Sequence, residues 1–402
     1  MNLLFLLTQS LDYPSGVGRY WPLARELARL GHHVEVAALH PDLGSVAERV
    51  AERDGVRVCY AGPMHVRQVD SERHYYGTAG LGWAVLRGTA GLALRALASR
   101  ADMLHVCKPH PMNGLAGVLA RTLRGCRFYL DCDDYEAESN RYASGSGGWQ
   151  KRVVAAWEDR LPALARGITT NTHFMAQRLS AAGYDADRIV YVPNGIDRRR
   201  FADLDPARTA ALRARLGLGD SQVVVYVGSL SSTSHPVDLL LDACAQLFRA
   251  RSNVRLLLVG GGEDYTAVGR QVAEKGLAGR VILTGRVPAD EVPYYYLLGD
   301  VSVDPVHDDL TARARSPLKL FESMALGIPL VTGDAGDRRE HLGNGQAGVL
   351  VAPGSARALA DGLLAVLDDP VLRHSMGECG RALAERYYWD VQVHEFARVY
   401  DL

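Results

Sequence analysis

The sequence lacks the features that are typical of disulfide-stapled, zinc-binding or disordered proteins. It has six cysteines in 402 residues and no CxxC pair. Most of the cysteines lie within apolar runs, so we expect reduced core thiols in a cytoplasmic protein, with neither a disulfide framework nor a zinc site. Hydrophobic residues make up 48% and charged residues 23%, which excludes a disordered chain.

The chain also lacks an excess of charge of either sign. Its 45 Lys and Arg residues nearly balance its 46 Asp and Glu residues, so the formal net charge is −1. This balance gives no reason to expect nucleic acid as a partner. Nothing in the sequence indicates the oligomeric state.

Long uninterrupted apolar runs are scarce. Residues 1–16 have no basic leader and no small-residue cleavage site, so we expect a first strand there and not a signal peptide. Residues 81–98 carry Arg87 and Arg95 in mid-run, which makes a bilayer-spanning helix too costly. The two arginines could suit the inner face of a membrane, so peripheral membrane contact stays open; an ordinary packed helix is the simpler interpretation.

Short β-rich runs alternate with longer helical runs through the first half of the chain. Near-continuous apolar strands separated by helices favour a parallel sheet covered on both faces, which is a doubly wound, Rossmann-like α/β domain. The predicted strands are residues 2–8, 33–39, 56–60, 103–107, 128–132, 167–170 and 189–192.

The same alternation starts again in the second half, so we predict a second Rossmann-like domain. Its predicted strands are residues 223–227, 255–259, 281–284, 301–304, 329–332 and 348–351. We therefore divide the chain into 1–195, 196–388 and a final amphipathic segment, 389–402, which could cross back to the first domain. Open α/β sheets bind ligands at the carboxyl ends of their strands, so we expect a phosphate-bearing ligand in a cleft between the two domains.

The run RARSPLKLFESMALGIPLVTGDAG, residues 313–336, is the strongest local signal. Ser316 and Pro317 suit the N-cap and first position of a helix over 317–326, whose N-terminus would attract an anion. Lys319, Arg313 and Arg315 would add positive charge. Glu322 could accept hydrogen bonds from two vicinal hydroxyls, although a solvated helix with one Glu–Lys pair would also explain it.

Several segments together resemble the retaining GT-B glycosyltransferases of family 4, over nearly the whole chain and in that family's order. They are GVGRYWPLARELARLGHHVEV, VYVPNGIDRRRF, VYVGSL, LLLVGGGED, VILTGRVPADEVPYYYLLGDV, SPLKLFESMALGIPLV and YYWDVQVHEFARVYD. The resemblance implies two Rossmann-like domains and transfer of a sugar from a nucleotide diphosphate donor, UDP- or GDP-linked. It implies no cofactor and no metal, and a glycan, a lipid-linked molecule or a small molecule as acceptor.

The resemblance also implies individual donor-binding roles. Glu322 matches the second glutamate of the family's E-x7-E signature, which holds the ribose. The segment of Ser316, Pro317, Leu318 and Lys319 matches the part that wraps the diphosphate and sugar. The remaining matches are Arg286 and Val287, at the base, and Gly16, at the diphosphate.

The sequence departs from the family at three places. Ala314 stands where the first glutamate of E-x7-E is expected, and Ser229 and His235 stand where the family has an Arg and a Lys for the diphosphate. Because a cation pair is missing there, we expect Lys319, Arg313 and Arg315 to supply the charge, with His235 beside them. The family's catalytic-site histidine is replaced by Asp133, which we take as the candidate for orienting sugar or acceptor hydroxyls.

The acceptor side has weaker candidates, Lys108, His110 and Asp134, of which the first two could equally stabilise a loop. Asp131-Cys132-Asp133 forms a DxD, where a metal is physically feasible, but we expect no metal site because DxD is common by chance. Two other functions stay open. A nucleotide-sugar 2-epimerase on the same fold could use one of these acids, and a nucleotide-sugar-binding protein without catalysis would explain Ala314.

Overall fold

The computed structural model describes residues 1–12, 14–69, 72–139, 148–231 and 235–401. The chain folds into two compact units. The first comprises Met1–Gly195 together with Trp389–Leu402, and the second comprises Ile196–Tyr388.

The first unit is built on an eight-stranded sheet and a separate two-stranded hairpin. The strands are β1 (Asn2–Leu7), β2 (His33–His40), β3 (Val50–Arg53), β4 (Val56–Pro63), β5 (Val66–Val69), β6 (Glu72–Tyr75), β7 (Met103–Cys107), β8 (Arg127–Cys132), β9 (Gly167–Thr170) and β10 (Ile189–Tyr191). The large sheet has the order β10-β9-β8-β7-β1-β2-β4-β3, and the hairpin pairs β5 with β6. The helices are α1 (Pro14–Val17), α2 (Tyr20–Arg29), α3 (Thr78–Ala98), α4 (Pro111–Arg124), α5 (Glu136–Ser139), α6 (Gly148–Arg160) and α7 (His173–Ala181).

The second unit is built on a six-stranded parallel sheet. Its strands are β11 (Gln222–Val227), β12 (Val254–Val259), β13 (Val281–Gly285), β14 (Val301–Asp304), β15 (Leu330–Gly333) and β16 (Gly348–Val351), in the order β13-β12-β11-β14-β15-β16. Its helices are α8 (Arg198–Phe201), α9 (Pro206–Arg215), α10 (Val237–Ala250), α11 (Tyr265–Glu274), α12 (Val292–Tyr296), α13 (Leu310–Arg313), α14 (Leu318–Ala325), α15 (Arg338–His341), α16 (Ala356–Asp368) and α17 (Pro370–Ala384).

The two predicted sheets of parallel strands are confirmed. Their central strands are apolar on both faces, which is why the sequence predicted them. In β1, for example, Leu3 to Leu7 are all buried beneath helices. Sequence patterning missed β3, β5 and β6, which have four residues each and pair antiparallel. Such short polar strands lack the apolar run by which the others were found.

Right-handed crossovers place the helices of the first unit on two faces of its sheet. The connection from β1 to β2 runs one way and puts α2 on one face. The connections β4–α3–β7, β7–α4–β8 and β8–α6–β9 run the opposite way, so α3, α4 and α6 lie on the other face. The final helix, α18 (Trp389–Ala397), packs against α2 within the first unit.

The apolar segment of residues 81–98 lies within helix α3. Among the helices that the structure describes, none has the length and apolar character needed to cross a bilayer.

Candidate functional site

The centre of the second sheet's carboxyl edge is occupied by a buried carboxylate, Asp304. It ends β14, between β11 and β15, and is 2% exposed. Lys319 Nζ lies 3.0 Å from its Oδ1, and Arg338 Nε donates to its Oδ2 at 3.0 Å. Burial alone would raise the pKa of Asp304, but the two cations outweigh burial and hold it well below its usual range. The cluster therefore combines two fixed cations with one carboxylate, and its net charge is positive.

Lys319 is the cation of this cluster that sequence analysis identified. It lies in the first turn of α14, and its ammonium group is 4.4 Å from the centre of the Tyr226 ring. Burial favours the neutral amine, but Asp304 outweighs this effect and raises the pKa of Lys319. The ammonium group is thus permanently charged and held in place. Sequence analysis did not identify its partner Asp304, whose only signal is its position at the end of a strand.

A pocket opens beside the cluster within the second unit. It encloses about 420 Å³ of empty space, part of it open to solvent, and its lining includes His235, Asp304, Arg315 and Arg338. Burial, with Lys319 and Arg315 nearby, lowers the pKa of His235 well below its usual value. The imidazole is therefore neutral near neutral pH, and His235 offers the pocket a hydrogen-bonding group and not a charge. Its role at the diphosphate stays a prediction.

The start of α14 differs by one residue from the prediction. Pro317 is the N-cap, and the helix begins at Leu318, so Ser316 is not the N-cap. Pro317 can occupy this position because a cap residue has extended backbone, with φ −77° and ψ 118° here. Ser316 and Pro317 are buried, and Leu318 is half-buried.

Glu322 lies one turn further along α14 and does not pair with Lys319. Its Oε2 accepts a hydrogen bond from the Tyr296 hydroxyl at 3.2 Å, and its Oε1 accepts one from Arg200 at 3.4 Å. The simple Glu–Lys pair is therefore excluded as the explanation of this residue. A carboxylate has about four lone-pair sites, so Glu322 retains the capacity to accept from a ligand.

The Gly-rich turns after β11 and β12 approach each other closely. A Cβ on Gly260, which has φ +141°, would lie 1.9 Å from the carbonyl oxygen of Gly228. Ser229 is exposed and its carbonyl accepts from the Tyr226 hydroxyl at 2.8 Å. After β13, Arg286 is exposed and Val287 is half-buried. These donor-binding candidates all follow strands of one sheet, so they lie at its carboxyl edge.

In the first unit, Lys108 lies among three carboxylates at the carboxyl ends of β7 and β8. Its Nζ is 3.0 Å from Asp133, 2.7 Å from Asp134 and 2.6 Å from Glu136. His110 Nε2 is 3.1 Å from the other oxygen of Glu136. The structure thus brings together Asp133 and all three acceptor-side candidates.

The backbone holds Lys108 in an unusual conformation. Its φ is +74°, in the left-handed region that non-glycine residues rarely adopt. The buried Asn113 amide donates to the carbonyl of Cys107 at 2.6 Å and to that of Lys108 at 3.3 Å, which fixes the turn. Strained residues of this kind are often found at functional sites, where the surrounding structure over-determines them.

The carboxylates of this cluster do not share one protonation state. Burial, only partly offset by Lys108, raises the pKa of Asp133 to about 7. In Glu136 burial acts in the same direction, but Lys108 and His110 outweigh it and hold the pKa well below its usual range. Asp133 can therefore donate or accept a hydrogen bond near neutral pH, and either mode could orient a hydroxyl.

The first carboxylate of the DxD, Asp131, is paired with an arginine. Arg19 donates to both its oxygens, from Nε at 2.8 Å and from NH2 at 2.9 Å, and the pair is buried. Sequence analysis missed Arg19. The carboxylates close enough to share an ion, among the described residues, are instead Asp133, Asp134 and Glu136, and a metal would have to displace Lys108 from between them.

Gly16 lies in the short helix α1 after β1, and its need for glycine is local. A Cβ there would lie 2.2 Å from the carbonyl oxygen of Ser10, so any other residue would force the turn apart. Its contact with a diphosphate stays a prediction.

Two family models match the chain, one in each unit. The model described as "Glycosyl transferase 4-like domain" matches residues 15–195, and the model described as "Glycosyl transferases group 1" matches residues 209–383. Together they cover most of the sequence.

Curated relatives include a GDP-mannose-dependent alpha-(1-6)-phosphatidylinositol monomannoside mannosyltransferase of Mycolicibacterium smegmatis. It is 29% identical over 60% of this chain and 64% of its own length. A D-inositol 3-phosphate glycosyltransferase of Kineococcus radiotolerans is 28% identical over 94% of this chain and 88% of its own length. The chain spans 60–64% of the length of the first three mannosyltransferases that it matches.

Solved structures with the same fold include a sucrose-phosphate synthase from Thermosynechococcus elongatus, with a TM-score of 0.80 at 19% identity over 100% of this chain and 98% of that one. Anabaena HepE in complex with UDP-glucose has a TM-score of 0.75 at 19% identity over the full length of both. At these identities the structures establish the fold alone, which is GT-B. With both family models matched in the expected order, the chain belongs to the group 1 glycosyltransferases of family 4.

Proposed function

We propose that the protein transfers a sugar from a nucleotide diphosphate to an acceptor hydroxyl with retention of the anomeric configuration. The observation that carries the proposal is the buried cluster of Lys319, Asp304 and Arg338 at the carboxyl edge of the second sheet. A net positive, rigid group at such an edge suits a diphosphate, because it meets the ligand's charge without having to reorganise.

The donor would bind along this edge. Glu322 would accept from the ribose hydroxyls, Arg286 and Val287 would contact the base, and Ser316 to Lys319 would surround the diphosphate and sugar. Arg315, in the pocket wall, would add charge, and Ser229 would contribute polar backbone. Among the similar proteins, the mannosyltransferases are named as GDP-mannose-dependent and HepE was solved with UDP-glucose, so both GDP- and UDP-sugars are candidate donors.

The chemical step requires stabilisation of the leaving diphosphate, whose negative charge grows in the transition state. Lys319 and the N–H groups at the start of α14 would meet that charge. His235, being neutral, would contribute a hydrogen bond only. The departing phosphate oxygen could then accept the proton of the acceptor hydroxyl, so the reaction needs no enzymic nucleophile and no metal.

The acceptor would be a glycan, a lipid-linked molecule or a small molecule bound by the first unit. Asp133 is the candidate for orienting its hydroxyl or the donor sugar, with Asp134 and His110 beside it. Lys108 acts on these groups by fixing the carboxylates, since its ammonium already contacts three of them.

The test is a donor screen by calorimetry with UDP-, GDP- and ADP-linked sugars, followed by NMR of the product formed with the tightest donor. We expect one nucleotide to bind best, and transfer to conserve the anomeric configuration. An inverted product would overturn the retaining mechanism, and binding of none of the donors would overturn the function.

A binding protein without catalysis is the second candidate, and Ala314 is the observation that favours it. Ala314 is buried and offers a donor sugar no polar side chain where the family has a glutamate. Donor binding without hydrolysis or transfer would select this alternative. The 2-epimerase is less favoured because both matching family models describe glycosyl transferases.

A further inference from the structure

The outer side of α3 and α4 exposes a set of large apolar side chains. Those of α3 are Trp83 (60% exposed), Leu86 (58%) and Leu94 (68%), and those of α4 are Leu115 (40%), Leu119 (37%) and Leu123 (68%). We call these six residues the apolar face. A neighbouring helix, α6, adds the exposed Trp149 and Val153.

The six residues form stripes and are not scattered. Those of α3 are spaced by three and eight residues, and those of α4 by four and four, so each set follows one side of its helix. The two helices pack side by side on the same face of the first sheet. Single exposed apolar residues need no explanation, but two such stripes on neighbouring helices are typical of an interaction surface.

The charge on these helices has one sign. Neither α3 nor α4 contains an aspartate or glutamate, whereas arginines flank the apolar face. Arg87, Arg121 and Arg124 are exposed, and Arg100 is exposed just beyond α3. Arg124 also donates to the carbonyl of Ala96 at 2.7 Å, so it ties the two helices together.

We propose that the apolar face docks on the surface of an anionic lipid bilayer. An apolar stripe bordered by arginines, with tryptophan among its exposed residues, matches the boundary between acyl chains and negatively charged headgroups. A protein partner without acidic residues would leave the arginines uncompensated, and a second copy of this face would bring like charges together. The lipid surface satisfies both the apolar and the charged groups.

Membrane docking adds a partner to the proposed function, but it does not depend on glycosyl transfer. Vesicle binding needs no donor and no turnover, so the two can fail separately.

The test measures co-sedimentation of the full chain with vesicles of phosphatidylcholine alone and of equal parts phosphatidylcholine and phosphatidylglycerol. We expect binding to the anionic vesicles, at least tenfold weaker binding to the neutral ones, and loss of binding as salt rises from about 0.1 M to about 0.5 M. Trp83→Ser with Leu94→Ser should weaken binding at least about tenfold. Arg87→Gln with Arg121→Gln should weaken it about fivefold per charge on anionic vesicles only.

Matched controls come from the second unit. Val371 is 79% exposed on α17, and the Arg357 side chain is 87% exposed on α16. Val371→Ser and Arg357→Gln should therefore bind vesicles like the parent, and thermal unfolding checks that every variant is folded.

Three results would overturn the proposal. The first is a parent that binds neither kind of vesicle, and the second is a set of variants that all bind vesicles as the parent does. The third is a parent that forms a dimer in light scattering, does not bind vesicles, and becomes monomeric when Trp83 and Leu94 are both replaced by serine. That outcome would identify the apolar face as an interface between copies.

Discussion

Replacing Lys319 by methionine removes the charge that we assign to the leaving diphosphate while keeping the length of the side chain. Asp304 would keep Arg338 as its partner at 3.0 Å, so the carboxylate is not orphaned. We therefore expect a loss of folding stability below the ~3 kcal/mol that an unpaired buried charge costs. Removal of one fixed group that stabilises transition-state charge typically costs about 3 kcal/mol, or roughly 150-fold in turnover.

The assay compares turnover with the best donor against the affinity for the nucleoside alone, which lacks the diphosphate. Lys319→Met should lower turnover far more than nucleoside affinity, because the charge that it meets grows in the transition state. Arg315→Met should have a smaller effect of the same kind. Sequence analysis also placed Arg313 among these cations, but the structure shows it exposed and paired with Asp308 at 2.6 Å. Arg313 therefore provides the control, and Arg313→Met should leave both quantities unchanged.

A turnover of Lys319→Met within about twofold of the parent would refute the role of Lys319, since the diphosphate charge would then be met elsewhere. That role would also be refuted if nucleoside affinity fell as much as the rate. In that case Lys319 would act by shaping the site and not by stabilising charge.

The remaining predictions concern Glu322, metal dependence and Asp133. Glu322→Gln should fold normally and bind the donor about 1–3 kcal/mol more weakly in calorimetry, and unchanged affinity would remove Glu322 from the site. Activity should survive EDTA, whereas loss on chelation and recovery with Mn²⁺ would make Asp133, Asp134 and Glu136 a metal site. Because burial raises the pKa of Asp133 to about 7, the stability that its protonated form contributes is full below the unfolded pKa of about 4 and is lost as pH rises towards 7. The melting temperature of Asp133→Asn should therefore fall less than that of the parent between about pH 5 and pH 7.5. Asp159→Asn, at an exposed position, is the control. Parallel pH profiles of the melting temperature for Asp133→Asn and the parent would contradict the assignment.

The sequence by itself determined the architecture of the protein. Strands that are buried on both faces form apolar runs in the sequence. The two ends of each predicted strand therefore lie within three residues of the ends of an observed strand. What escaped detection were elements without that signal, such as β3, a short antiparallel edge strand with exposed polar residues. The family resemblance supplied the donor-binding candidates, and those in the second half of the chain follow strands of the second sheet. Their contacts with a donor stay predictions.

Only the tertiary structure decided which charges meet. Lys319 and Asp304 are fifteen residues apart, Lys108 and Asp133 are twenty-five apart, and Arg19 reaches Asp131 from another strand connection. No local pattern encodes such pairs, because they form where the carboxyl ends of neighbouring strands meet. Protonation follows from the same packing: burial and nearby cations make His235 neutral, and burial brings the pKa of Asp133 near 7.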